Sequence, residues 1–244
     1  MLSRHALRTN EAHLWWLRVR EEPTAAIESV LDDGDRRALA GAADTEWRTL
    51  VVWRRALLRL VAGALVDVDP ATVPLGRRCP TCGATDHGAP TIADCDVSLS
   101  AAAADGIVVV AACAGLRVGV DVLARADGEA ALFGARIVCT SADVDALDAI
   151  PDEHRGDAAL HAVTQLDAYA KLGGLHHHAY PEISVSIDVF RSAVRAGDAA
   201  FWARRVDPGP GYVANLVADG RPRAVRGHDA TDLLIDVMHG SSAA

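Results

Sequence analysis

The run Leu116-Arg117-Val118-Gly119-Val120-Asp121-Val122-Leu123 constrains this chain more than any other stretch. It has the composition of a buried strand, with a carboxylate at the point where the next turn should begin. A charged side chain among valines is costly to bury unless it is paired or binds a cation. Asp121 therefore needs a partner. The candidate lies 46 residues on, in Thr164-Gln165-Leu166-Asp167-Ala168-Tyr169-Ala170-Lys171, where Asp167 and Lys171 stand one helical turn apart and share a face. Lys171 is the single lysine of the chain; the other fixed cations are arginines. Either a compact, titratable ammonium is needed at this one place, or a bias toward arginine has left one chance survivor.

Length permits one large domain or two lobes of about 120 residues each. Half of the 244 residues are hydrophobic, as in a globular chain, yet no window of about 18 uncharged apolar residues suits a membrane span. The first residues, Met1 to Glu11, lack an apolar core of signal-peptide length, so a cytoplasmic location is expected. The five cysteines (Cys79, Cys82, Cys95, Cys113, Cys139) are odd in number and mostly set in apolar sequence, which fits reduced thiols. A net charge of −9 argues against nonspecific binding to nucleic acid or anionic lipid.

Residues 13 to 20 alternate as a first strand. Leu31-Asp32-Asp33-Gly34-Asp35 supplies carboxylates for a helix start, and the apolar positions from Arg36 to Val66 recur at three-to-four spacing, predicting one short helix and one long amphipathic one. The arginines of the long helix read as a solvated face, or else Arg48, Arg55 and Arg59 receive an anionic ligand. Gly76 to Pro90 is a turn-rich connection. Cys79 and Cys82 have C-x-x-C spacing and, with His87 and Cys95, form a four-ligand zinc alternative to a plain loop that carries thiols. Residues 96–100, 106–112 and 116–123 read as an antiparallel meander. Ala124 to Asp157 reads as helical pieces, and Gly173-Gly174 ends the helix of Asp167. His176, His177 and His178 then form a polar loop from which one imidazole could reach Asp167 and Lys171. Residues 183–190 and 213–218 read as strands around a tight turn at Asp207-Pro-Gly-Pro-Gly, and a short helix at 233–238 closes a polar tail.

The ordered motifs Arg55-Ala-Leu-Leu-Arg59, Cys79-Pro-Thr-Cys-Gly with His87-Gly, Val97-Ser-Leu-Ser100, Val118-Gly-Val-Asp-Val122, Asp167-Ala-Tyr-Ala-Lys171 and Asp207-Pro-Gly-Pro-Gly-Tyr-Val213 resemble the Sfp-type 4′-phosphopantetheinyl transferases in their actinobacterial form. The resemblance implies an α+β pseudo-dimer of two similar lobes. Here these are residues 1–115 and 116–222, the second carrying Asp121 and the Asp167/Lys171 helix, followed by a tail over 223–244. The family transfers phosphopantetheine from coenzyme A to a carrier-protein serine with magnesium. The resemblance thus points to Asp121 and Asp167 as the magnesium ligands of a retained transferase, and to Arg48, Arg55, His87 and Ser100 for coenzyme A.

The chain departs from the family where chemistry is concentrated. Leu123 stands where a second strand carboxylate belongs, and Asp167 replaces a glutamate, withdrawing its oxygens by roughly 1.5 Å. Leu166, Ala101, Ala89 and Val163 replace a lysine, a histidine, a basic residue and a tryptophan. Replacing charge by Leu123, Leu166, Ala89 and Ala101 is expected to make the cleft apolar, suited to an acyl or polyketide chain on a pantetheine arm. Asp121, Asp167 and Lys171, with His87, His161 or His176, then serve as acid and base for elimination, cyclisation or aldol-type chemistry without metal. The alternatives are an active transferase and a non-catalytic binding partner of an acyl or peptidyl carrier protein. A monomer is expected in each case.

Overall fold

The computed structural model describes residues 7–19, 21–41, 45–85, 87–173, 183–185, 187 and 193–240. The alternation around Trp15 folds as strand β1 (Glu11–Arg18). Helix α1 (Ala25–Ser29) is capped by Thr24, and α2 (Asp33–Leu39) by Asp32, whose carboxylate accepts from the Asp35 N–H at 2.7 Å. The long amphipathic helix is α3 (Thr45–Val66). A hairpin of β2 (Leu75–Arg78) and β3 (Ala89–Ile92) follows, then β4 (Val97–Ala104), β5 (Ile107–Ala114) and β6 (Val118–Ala124). The helical pieces are α4 (Gly128–Val138), α5 (Ser141–Asp148) and α6 (Asp152–Gly173). Strands β7 (Ile183–Val185), β8 (Ala193–Ala196), β9 (Ala199–Val206), β10 (Tyr212–Ala218) and β11 (Ala224–Asp229) lead to helix α7 (Thr231–Gly240). The class is α+β.

Two sheets organise the molecule, in the orders β11-β1-β5-β4 and β6-β10-β9-β8-β7. Alternation along β5 shows how they stack. Val108, Val110 and Ala112 join Leu57, Val61 and other residues of α3 in one core, while Ile107, Val109, Ala111 and Cys113 meet Val118, Val120 and Val122 of β6 and Leu216 of β10 in another. A third core lies between the second sheet and α6, around Leu160, Leu166 and Val213. The result is four layers: α3, first sheet, second sheet, α6.

Of the meander expected over 96–123, the antiparallel pair β4–β5 is formed and the third strand goes elsewhere. β5 is flanked by β1 and β4, which leaves it no edge for β6, and β6 pairs instead with β10. A left-handed Gly115 (φ 82°) turns the chain from one sheet to the other. The β4 edge still reaches β6, through side chains: the hydroxyls of Ser98 and Ser100 accept from the N–H groups of Val118 and Val120, each at 3.0 Å. The polar tail is also more ordered than its composition implies. β11 runs parallel to β1, His13 and His228 meet at 3.0 Å across 215 residues of chain, and Leu233 of α7 enters the first core. Among the described residues no helix is long and apolar enough to cross a membrane.

Candidate functional site

Val118, Val120 and Val122 of β6 face the core between the sheets, so Gly119 and Asp121 face α6. A Cβ on Gly119 would stand 1.9 Å from the Ala168 carbonyl oxygen. The missing side chain lets α6 lie directly on the strand. Lys171 then reaches back, its Nζ 2.5 Å from Asp121 Oδ1 and donating to the Val120 carbonyl at 3.2 Å. Asp121 is 7 % exposed and Asp167, one turn before Lys171, is half-buried. The three groups singled out in the sequence therefore share one corner between β6 and α6.

Burial pushes the Asp121 carboxyl up to about 6; the Lys171 ammonium opposes this, and the Asp167 carboxylate adds to it. The unfolded-state value is near 3.8, so the folded protein binds this proton more tightly. Asp121's contribution is thus most favourable below pH 4, declines as pH rises through about 4 to 6, and is fully unfavourable above that window. The difference between the two states corresponds to roughly 3 kcal/mol. Urea unfolding of wild type and Asp121→Asn across this window should show the decline in the wild type and a flatter curve in the variant. Parallel curves would refute the assignment.

A second polar row lies beside this corner. Asn215 of β10 is the cross-strand partner of Asp121 and fully buried. Its Nδ2 donates to Thr164 Oγ1 at 2.6 Å and to His161 Nδ1 at 3.0 Å. His161, expected as an acid or base, is only 2 % exposed and serves as a wall of this row rather than facing substrate. Asn215 was missed although its signal matches that of Asp121, a lone polar residue in Val213-Ala-Asn-Leu-Val217. His176 lies outside the described residues.

The residues expected to hold coenzyme A are dispersed. Ser100 is buried, with its hydroxyl engaged by β6. Arg48 pairs with Glu28 at 3.0 Å, and Arg55 pairs with Asp35. Arg59 binds Asp32 and Asp35 and donates to the Pro70 and Val73 carbonyls. None of the three is a free anion site, because acids of α1 and of the α2 start meet them; Arg59 is enclosed, whereas Arg48 keeps a solvated position beside Glu28. His87 packs against Cys82 and Cys79, the three ligand atoms lying within 4.8 Å of one another, and Cys95 stands outside that group. Among the described residues these are the side chains best placed to hold a metal.

A cavity of about 500 Å³ opens along the β4/β6 seam, lined by Arg78, Ala89, Val97, Ser98, Val118 and Leu172, among others. The cavity touches the same two elements as the acidic corner, through Val118 of β6 and Leu172 of α6, although none of Asp121, Asp167 and Lys171 lines it. Of the four substitutions expected to make the cleft apolar, only Ala89 lines this cavity. Leu166 is fully buried in the α6 core, Leu123 packs against that core, and Ala101 packs beneath α3. Their positions on α6, β6 and β4 turn them inward. No model of a known protein family matches the chain, and a search among curated proteins finds no match.

Proposed function

We propose that this chain is a phosphopantetheinyl transferase-like pseudo-dimer whose Asp121–Asp167–Lys171 corner performs metal-independent acid–base chemistry on an acyl or polyketide chain carried on a pantetheine arm. One observation carries the reading: the Lys171 ammonium lies 2.5 Å from the Asp121 carboxylate, in the place a divalent cation would need. Magnesium requires near-octahedral oxygen donors. Here one carboxylate is already engaged by an ammonium, and Leu123 offers no oxygen. With Lys171 in place, the corner favours chemistry without a metal.

The roles follow from exposure. Asp121 is enclosed and fixes Lys171. Asp167 and Lys171 are half-buried and reach solvent, so Asp167 accepts a proton from a carbon beside a thioester carbonyl while Lys171 donates to the developing enolate oxygen. The cavity is of a size common for small-molecule sites and would seat the chain beside them. The repeated pattern of a sheet covered by one 22-residue helix supports the two-lobed ancestry. A carrier protein or a free pantetheine thioester would deliver the substrate in secondary metabolism.

The test uses acyl-pantetheine and acyl-carrier-protein substrates. Turnover should survive a metal chelator and fall by roughly 10²-fold or more in Asp167→Asn and in Lys171→Ala. Convergence of two carboxylates favours one other reading, an active transferase in which magnesium displaces Lys171 from Asp121. Incubation with coenzyme A, magnesium and apo carrier proteins decides it: a mass increase of one phosphopantetheine on the carrier would replace the metal-independent reading. Carrier binding with neither activity would leave a non-catalytic partner.

A further inference from the structure

We propose that Cys79, Cys82 and His87 form a zinc site that ties the β2–β3 hairpin to the end of α6. The backbone is built for it. β2 ends at Arg78, and the chain turns through Cys79-Pro80-Thr81-Cys82-Gly83, with Gly83 in the left-handed region at φ 75°. The Gly83 N–H donates to the Cys79 carbonyl and the Cys79 N–H to the Ala84 carbonyl, both at 2.9 Å. The N–H groups of Cys82 and Thr81 are directed at the Cys79 sulfur. The turn thereby presents two sulfurs to one point, with amide dipoles that favour negative charge there.

The third ligand arrives by a close crossing. Gly88 has φ 98°, and a Cβ there would lie 2.5 Å from the backbone N and Cα of Cys79. Only glycine permits this approach, which sets His87 Nε2 3.4 Å from Cys82 Sγ. Arg77 donates to the Gly88 carbonyl at 3.0 Å and holds the crossing shut. Bond lengths of about 2.3 Å to sulfur and 2.0 Å to nitrogen give ligand–ligand edges of roughly 3.5 to 3.8 Å in a tetrahedral zinc site. The three ligand atoms, all within 4.8 Å of one another, need close by only about 1 Å. Two thiolates and an imidazole select zinc over a hard cation such as magnesium. Among the described residues no fourth protein ligand joins them, so water completes the shell at the exposed side, where Cys82 lies.

The site has a mechanical consequence. Thr81, inside the metal turn, donates from Oγ1 to the Gly173 carbonyl at 2.8 Å, two residues beyond Lys171. Arg78 and Pro80, on either side of Cys79, line the cavity at the β4/β6 seam. Zinc would thus set both a wall of the cavity and the end of the helix that carries Lys171.

Full-length protein purified from zinc-supplemented medium under reducing conditions should carry one zinc per chain by elemental analysis. After exchange into cobalt it should show a thiolate-to-cobalt charge-transfer band and the ligand-field bands of a tetrahedral ion. Both signals should disappear in Cys82→Ser and in His87→Ala and persist in Cys95→Ser, with far-UV circular dichroism confirming that each variant folds. Chelation should lower the melting temperature of wild type and leave that of Cys82→Ser unchanged. Wild-type protein without zinc or the cobalt bands, identical cobalt spectra in wild type and Cys82→Ser, or a Cys79–Cys82 disulfide found by mass in the reduced preparation would each overturn the proposal. None of these readouts depends on turnover, so the site stands or falls apart from the acid–base reading.

Discussion

Replacing Gly119 by alanine is expected to remove about 3 kcal/mol or more of folding stability, measured by urea unfolding, or to abolish soluble expression. The added methyl would stand 1.9 Å from the Ala168 carbonyl oxygen and 3.1 Å from the Leu172 amide nitrogen. The atoms it meets are helix backbone, which cannot rotate away as a flexible side chain does. Relief requires α6 to lift from β6, opening the core around Leu160 and Leu166 and drawing Lys171 from Asp121. Gly134→Ala is the control. That glycine is in α4 with nothing within 4 Å of a built Cβ, so the same change there should stabilise by about 0.5 to 1 kcal/mol. An unfolding midpoint for Gly119→Ala equal to that of wild type would show that the strand and helix are not in this contact.

Lys171→Met should be the second severe substitution, and its effect should depend on pH. Methionine keeps much of the aliphatic length and removes the charge, leaving Asp121 buried with Asp167 as its charged neighbour. Breaking an enclosed ion pair by removing one partner costs about 3 to 5 kcal/mol; with 35 % of the Lys171 side chain open to water, about 2 to 3 kcal/mol is expected at pH 7.5. The Asp121 carboxyl should then titrate above its wild-type position near 6, so the deficit should shrink as the pH is lowered through that range. The double variant Lys171→Met/Asp121→Asn should recover most of the loss at pH 7.5. A deficit that is independent of pH and persists in the double variant would show that Lys171 matters for packing alone.

The sequence disclosed these groups because a carboxylate in a run of valines poses a physical problem with few solutions, and the one lysine lay at the right helical phase. Helix positions were legible for a related reason: capping acids such as Asp32 and periodic apolar residues act locally. What depended on which strand edges were already occupied was not legible. The order of β4, β5 and β6 reads as a meander until β1 is known to take the second edge of β5. Arg55 and Arg59 read as available because Asp32 and Asp35, twenty or more residues earlier, become neighbours only when α2 docks on α3. The family resemblance places Leu166 and Ala101 in the cleft, whereas their phase along α6 and β4 sends them into cores. β11 escaped notice because its residues are polar and its place is secured by main-chain pairing. His87 meets the cysteines through the reversal at Gly88, which no local pattern of the sequence specifies.

The parallel pairing of β11 with β1 also bears on how the molecule is made. The N-terminal sheet cannot gain its outermost strand until residues 224–229 have been made, whereas β6 through β10 all precede them in the chain. During synthesis the earlier half waits with one open edge, and the later half closes first. The pairing of β11 with β1, across more than two hundred residues of chain, would then govern when the nascent chain becomes native.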